Sequence, residues 1–236
     1  MPELTQEHRR AICFREAGRA IIHAFGGAHV YRVAVAPTGS SAWRYQRRKG
    51  REEVDLLGIC EASDEPSVTM HVQWDEETEQ FVGNREGFER LVEQARSIVL
   101  KGQQPKSPSE NLEIWRRLVR AHVCSRLAGP VAAYVCMQRA FEMEEARADA
   151  EFEHDLAVAD GMSQLLPPGA LEHLVRVTDD ALRTPSVWAR VTALAEELER
   201  VGDMADQLDG CLPEPLAGWP AGIAEVSDEV QVTGEA

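Results

Sequence analysis

Reading from the N-terminus, apolar side chains first recur at helical spacing. Phe14, Gly18, Ile21, Ile22 and Phe25 stand at i, i+4, i+7, i+8 and i+11, which predicts a helix with one apolar stripe. Thr5 is placed to cap its start and Gly26-Gly27 to end it. The period then shortens to two. HVYRVAVAP alternates around Val30, Val33 and Val35 and halts at Pro37, the pattern of a strand. The polar stretch 38–54 reads as a loop. LLGICEA (56–62) and SVTMHVQW (67–74) are the next strands, and the turn-forming SDEP between them suits a hairpin.

From about residue 76 the pattern is helical. EETEQFVGNREGFERLVEQARSIVL carries one or two helices, and GQQPKSPSE (102–110) reads as a Pro/Ser linker. LEIWRRLVRAHVCSRLAGPVAAYVCMQRAF is a long helical segment with a bend expected at Gly129-Pro130. EFEHDLAVADGMSQLL (151–166), PGALEHLVRVTDDALR (168–183) and PSVWARVTALAEELERVGDMADQL (185–208) complete a bundle. The expected fold is mainly α with a small β-sheet (α+β): a helical bundle with a short three-stranded sheet after the first helix. One domain is expected over 1–212. Residues 213–236, rich in Pro, Gly and acid and without Lys or Arg, read as a disordered acidic tail.

Composition narrows the function classes. With 44% hydrophobic and 28% charged residues, the chain is an ordinary globular one. Its formal net charge of −15 and single basic run, RYQRRKGR at 44–51, argue against nucleic acid, which requires an organised basic face. Cys13, Cys60, Cys124, Cys136 and Cys211 show no C-x-x-C spacing and read as reduced core thiols of a cytoplasmic protein. No apolar run approaches the roughly 20 residues that span a bilayer, so no membrane is expected. There is neither a G-x-x-x-x-G-K-[ST] phosphate loop nor a G-x-S-x-G nucleophile elbow. The acidic pairs Glu144-Glu145 and Glu196-Glu197 read as solvated helix faces.

One stretch invites chemistry. In CFREAGRAIIHAF (13–25), Arg15-Glu16-Ala17-Gly18-Arg19 occupies the frame in which zinc peptidases carry H-E-x-x-H. On a helix, residues 15, 19 and 23 share one face, with residue 16 about 60° from residue 19. In H-E-x-x-H that geometry offers two imidazoles to one zinc and sets the Glu beside them to deprotonate bound water. Guanidinium has no lone pair to donate, so Arg15 and Arg19 would repel a metal. By itself, the motif reads as an exposed charged face.

The surrounding order of motifs changes that reading. F-R-E-A-G-R-A resembles the H-E-A-G-H-A helix of FtsH-type ATP-dependent zinc metallopeptidases. HVYRVAVAPTG is similar to the strand after that helix, DLLGIC to the family's edge strand, and RLAGPVAAYV to its L-G-G-R-A-A-E-E-L segment. EFEHDLAVADGMSQLL resembles the N-D-L-x-x-A-T helix, and the segment Trp188 to Leu198 resembles one of the last helices. The resemblance covers roughly residues 8–210, with each motif degenerate and the order kept. It implies Arg15 and Arg19 at the positions of zinc-binding His, Glu16 at the general base and Asp155 at the acidic ligand. Only the peptidase domain is matched, without an ATPase.

The function expected from this is a catalytically inactive, peptidase-like binding or regulatory module without a metal cofactor. In it, Arg15 and Arg19 pair with Asp155 and Glu16 in place of zinc. The resemblance further implies that a peptide segment adds as a strand near Leu57–Cys60. The alternative is an active zinc peptidase with displaced ligands, His23, His154 and Asp155. Residues 154 and 155 point about 100° apart on a helix, and Glu16 lies nearly two turns from His23, so that site is poorly formed. His23 then reads as a half-buried helix histidine and His154 as a surface one. A structural, homo-oligomerising subunit is the third class.

Overall fold

The computed structural model describes residues 4–40, 43–46, 53–63, 69–95, 108–205, 207–208 and 210–220. It is mainly helical with small antiparallel two-stranded sheets, an α+β chain. The elements are α1 (Gln6–Phe25), β1 (Val30–Val35), β2 (Trp43–Gln46), β3 (Glu53–Leu56), β4 (Gly58–Ala62), β5 (Val72–Asp75), β6 (Gln80–Gly83), α2 (Arg85–Ala95), α3 (Pro108–Cys136), α4 (Met143–Arg147), α5 (Glu153–Ser163), α6 (Ala170–Arg183) and α7 (Pro185–Val201). The chain divides into two compact units. The first comprises residues 1–63, 128–142 and 179–216, and the second comprises 64–127, 143–178 and 217–236.

In the first unit, α1 begins where Thr5 Oγ1 accepts from His8 N at 3.2 Å, and it ends at Gly26, whose amide donates to Ile22 O. Its apolar stripe is buried, and Phe14 stacks on Trp188 of α7 with ring centroids 5.4 Å apart. Gly18 lets α1 approach α3: a Cβ there would stand 2.5 Å from Ala132 Cβ. Strand β1 has β4 on one side. On its other side it bridges the turn after α7, with Val35 N donating to Gly202 O and Met204 N donating to Val33 O. Gly202 terminates α7 at φ 78°, a conformation that favours glycine. Arg9 joins these pieces, its Nε donating to Ala36 O at 3.0 Å and its Nη1 to Glu199 O at 2.8 Å. An orphan carbonyl of the last turn of α7 is thereby satisfied.

The second unit holds the β5–β6 hairpin on α5. Asp75 fixes the turn: its carboxylate accepts from Glu77 N at 3.0 Å and from Thr78 Oγ1 at 2.8 Å. The Thr78 hydroxyl, then the amides, hold the Asp75 carboxyl below its ordinary range. The hairpin meets the helix through glycine. A Cβ on Gly161 would stand 2.7 Å from Phe81 Cβ and 2.8 Å from Phe81 O. Gln164 closes the outer edge of β6: its Oε1 accepts from Gly83 N at 3.0 Å and its Nε2 donates to Phe81 O at 3.4 Å. Asn84 Oδ1 then accepts from Gly87 N at 2.8 Å, capping α2 and setting Phe88 into the core.

Several expectations are corrected. Residues 38–54 are not all loop, because β2 pairs antiparallel with β3 from Trp43↔Leu56 to Gln46↔Glu53. The expected three-stranded sheet does not form among the described residues: β1 pairs β4, whereas β5 pairs β6. Strand β6 lies in a stretch read as helical. Gln80 and the Glu residues just before it favour helix, but the Asp75 turn diverts the backbone and packing on Gly161 holds the extended form. Pro108 opens α3 instead of lying in a linker, and α3 runs on through buried Pro130. At the C-terminal end, Leu216 N donates to Phe25 O and Trp219 is buried; residues 221–236 of the expected tail lie outside the described residues.

Of the five thiols, all free, Cys13 and Cys124 are buried as expected, Cys60 and Cys136 are half-buried, and Cys211 is exposed. Burial pushes both Cys13 and Cys124 up to about 12 from the ordinary 9.0. In the unfolded chain these thiols ionise first, so their contribution is fully present below about pH 9 and is lost as the pH rises toward 12. Denaturation series at rising pH are therefore expected to show alkaline destabilisation that flattens in a Cys13→Ala/Cys124→Ala variant; equal slopes would refute the assignment.

Gly161→Ala provides a test of the hairpin contact. At an unencumbered helix position the change stabilises by up to about 1 kcal/mol. Against the Phe81 backbone it is expected to destabilise by about 1–3 kcal/mol, read from the urea midpoint.

Candidate functional site

Arg15, Glu16 and Arg19 lie in the middle of α1, more than two turns from its cap, so their directions are fixed by a regular helix. Their face is not the exposed one expected from the motif alone. Glu16 has 0% solvent exposure, and the side chains of Arg15 and Arg19 retain only 11% and 13%. Glu16 Oε1 accepts from Arg15 Nε at 2.9 Å, and Oε2 accepts from Arg19 Nη1 at 3.3 Å. Each carboxylate oxygen thus has a charge-assisted bond from a different guanidinium.

Two glycines make room for this group. Gly58, the first residue of β4, passes directly over Glu16: a Cβ on it would stand 2.5 Å from Ile12 Cγ2, 3.0 Å from Glu16 Cγ and 3.1 Å from Glu16 Oε1. Gly129 of α3 lies against the arginines. A Cβ there would stand 3.1 Å from Arg15 Cγ and 3.1 Å from Arg19 Nη2. Gly58 was not singled out from the sequence, and Gly129 only as part of an expected bend. The available signal was a glycine interrupting an apolar run in a strand pattern and another in a helix pattern, each a mark of close approach.

Strand β4 is the expected strand LLGICEA (56–62), which begins two residues later, at Gly58. Ala36 N donates to Leu57 O at 2.8 Å, which sets the phase of the antiparallel ladder. Leu57 and Ile59 therefore direct their backbone groups to β1, whereas Gly58 and Cys60 turn theirs to the opposite edge. The alternation also brings the Gly58 and Cys60 positions onto the face toward α1.

The remaining candidates are distributed between the units. Asp155 lies in the first turn of α5 in the second unit, where its Oδ1 accepts from Arg126 Nη1 at 3.3 Å. Arg15, Arg19 and Asp155 each make further interactions besides these. The expected pairing of Asp155 with Arg15 or Arg19 would join the two units and stays an expectation. His23 is half-buried in the last turn of α1. His154 is exposed and meets the Phe81 ring edge-on at 5.6 Å. Among the described residues, no three or more His, Cys, Asp and Glu side chains are grouped as metal ligands would be.

No protein-family model matches the chain, and no curated protein matches it either. The chemistry of the site rests on its geometry.

That geometry makes Glu16 a sensitive position of the first unit. Glu16→Gln removes the carboxylate charge and leaves two largely buried guanidinium groups against a neutral amide. A loss of about 3–5 kcal/mol is expected in urea denaturation. A change within the range of ordinary surface substitutions, about 0.5 kcal/mol, would show that the ion triad is not a structural centre.

Proposed function

We propose that this chain is a catalytically inactive, metallopeptidase-like module that binds protein or peptide segments, with arginine standing where a metal would be. The observation that carries the reading is the bonding of Glu16, with Oε1 taken by Arg15 and Oε2 by Arg19 while the carboxylate is closed to solvent. A general base needs an oxygen within reach of the water that it deprotonates. Both oxygens here accept from guanidinium, and guanidinium offers no lone pair to a cation. Arg15 and Arg19 therefore do not fit a zinc ion at this position, and no hydrolytic step is derived through one.

Charge is what the arginines supply. Two guanidinium groups face one carboxylate in the first unit, and a second carboxylate would balance them. Asp155 is that carboxylate in the proposal. Peptide binding draws on a separate feature, the stretch Leu57–Cys60 at the start of β4, by the resemblance to the family's edge strand. An extended segment could pair there through main-chain hydrogen bonds, a mode of recognition that needs no metal.

Metal analysis of protein purified without chelator, together with a casein-cleavage assay, tests the inactive reading. Zinc far below stoichiometric and no cleavage are expected. Near-stoichiometric zinc lost on His23→Ala or Asp155→Ala would overturn it, as would cleavage abolished by Glu16→Gln. The proposed Arg–Asp155 pairing has its own test. A double-mutant cycle of Arg19→Ala and Asp155→Ala, repeated with Arg15→Ala, is expected to give a coupling of about 0.5–3 kcal/mol in at least one arm. Strict additivity in both would remove the pairing. Because Arg126 is present in every arm, its own bond to Asp155 does not imitate the coupling.

A further inference from the structure

The second unit carries an aromatic row that its core does not use. Trp74 and Phe81 are cross-strand partners in the β5–β6 hairpin, with ring centroids 5.1 Å apart and edge to face. Phe81 in turn meets the ring of His154, on the first turn of α5, at 5.6 Å. The half-buried Phe81 thus lies between two exposed rings. Trp74 is 51% exposed and is the one aromatic among the exposed large hydrophobic side chains of the described residues. An indole left open in this way, and held by an edge-to-face contact, offers a fixed π-face to a partner.

The charge around the row is mainly negative. Residues 70–84 contain Asp75, Glu76, Glu77 and Glu79 and no Lys or Arg; residues 148–164 contain Asp149, Glu151, Glu153, Asp155 and Asp160 and again no Lys or Arg. Glu76, Glu77 and Glu79 at the hairpin turn are exposed, as are Glu151 and Glu153 beside His154. The flanking arginines are engaged, Arg85 with Glu89 at 3.1 Å, Arg147 with Asp160 at 2.9 Å and Arg126 with Asp155 at 3.3 Å. The row therefore presents π-faces within a negative field, the combination that favours a cationic side chain lying flat on an aromatic ring.

We propose that the row Trp74–Phe81–His154, with its acidic rim, is a docking surface for an arginine-bearing segment of another protein. Arginine fits better than lysine, because its planar, weakly hydrated guanidinium stacks on indole while its edge N–H groups reach carboxylates. Apolar residues between the arginines would cover the rest of the rings. Charge disfavours the two internal occupants: the chain after residue 220 bears Glu225, Asp228, Glu229 and Glu235 with no Lys or Arg, and a second copy of this face would oppose two acidic rims.

The test is fluorescence anisotropy at physiological ionic strength, using labelled short peptides of alternating Arg and Leu, and of citrulline and Leu as the uncharged isostere. The Arg peptide is expected to bind and the citrulline peptide to bind at least about tenfold more weakly. Trp74→Ala, checked for folding by circular dichroism, should weaken the Arg peptide about tenfold, and Trp74→Phe by less. Glu76→Gln/Glu77→Gln/Glu79→Gln should weaken it as well, whereas Glu144→Gln/Glu145→Gln should leave it nearly unchanged. Equal binding by the Trp74 variants, or equal losses from both sets of acidic substitutions, would reduce the effect to general attraction by an acidic protein and overturn the proposal. Self-association that depends on Trp74, seen by sedimentation, would overturn it in favour of a second copy.

Discussion

A carboxylate closed to water must be surrounded by donors, and in the first unit that requirement falls on Glu16. The two donors come from its own helix, one position before it and three after it, so the triad exists only because α1 holds a regular register from Thr5 to Phe25. The space for it comes from elsewhere. Gly58 lets a strand lie on the carboxylate, and Gly129 lets a neighbouring helix lie on the guanidinium groups. Substituting either glycine would press a Cβ into the group that it now accommodates. Such ionic groups contribute little net stability compared with apolar residues of the same volume, because each charge first loses its hydration. The strand and the neighbouring helix supply cover at Gly58 and Gly129, while α1 itself supplies the donors.

The second unit solves a related problem with neutral groups. A two-stranded hairpin is marginal by itself and has to be packed against something. Here the contact with α5 is made at Gly83 and Gly161, where backbone meets backbone; the side chain of Gln164 satisfies the Gly83 amide at the end of β6, and that of Asn84 the Gly87 amide in the first turn of α2. The price of so close a fit is a face with few apolar side chains, and Trp74 extends past it into solvent.

What could be read from the sequence followed from how local each cause was. The limits of α1 follow from Thr5 and Gly26, and the start of α7 from Pro185; these signals act within a turn of the boundary that they set. The expected helix over 185–208 overran its end, because Gly202 stops α7 after Val201. Strand β1 was legible from alternation and β-branched content, and β4 from a short apolar run. The pairing of β5 was not, because SDEP resembles a hairpin turn as well as the Asp75 segment does, and partner choice depends on a distant helix. Strand β6 was hidden by Glu and Gln, whose helical preference is overruled by Gly161, 80 positions after Phe81. At the site, Arg15, Glu16 and Arg19 were found from spacing, but their burial was not, since Gly58 and Gly129 reach them from other elements. Charge runs read as solvated faces unless something covers them, and sequence alone does not identify the cover.

The amide of Gln164 has a consequence beyond its own unit. By accepting from one strand residue and donating two positions earlier, it does what the backbone of a third strand would do. An open β-edge is a template on which foreign chains polymerise. At β6 that template is blunted, among the described residues, by the side chain of Gln164. Growth of this sheet in the β6 direction would first have to displace Gln164, so a barrier to aggregation is carried by a residue that contributes nothing to the apolar core.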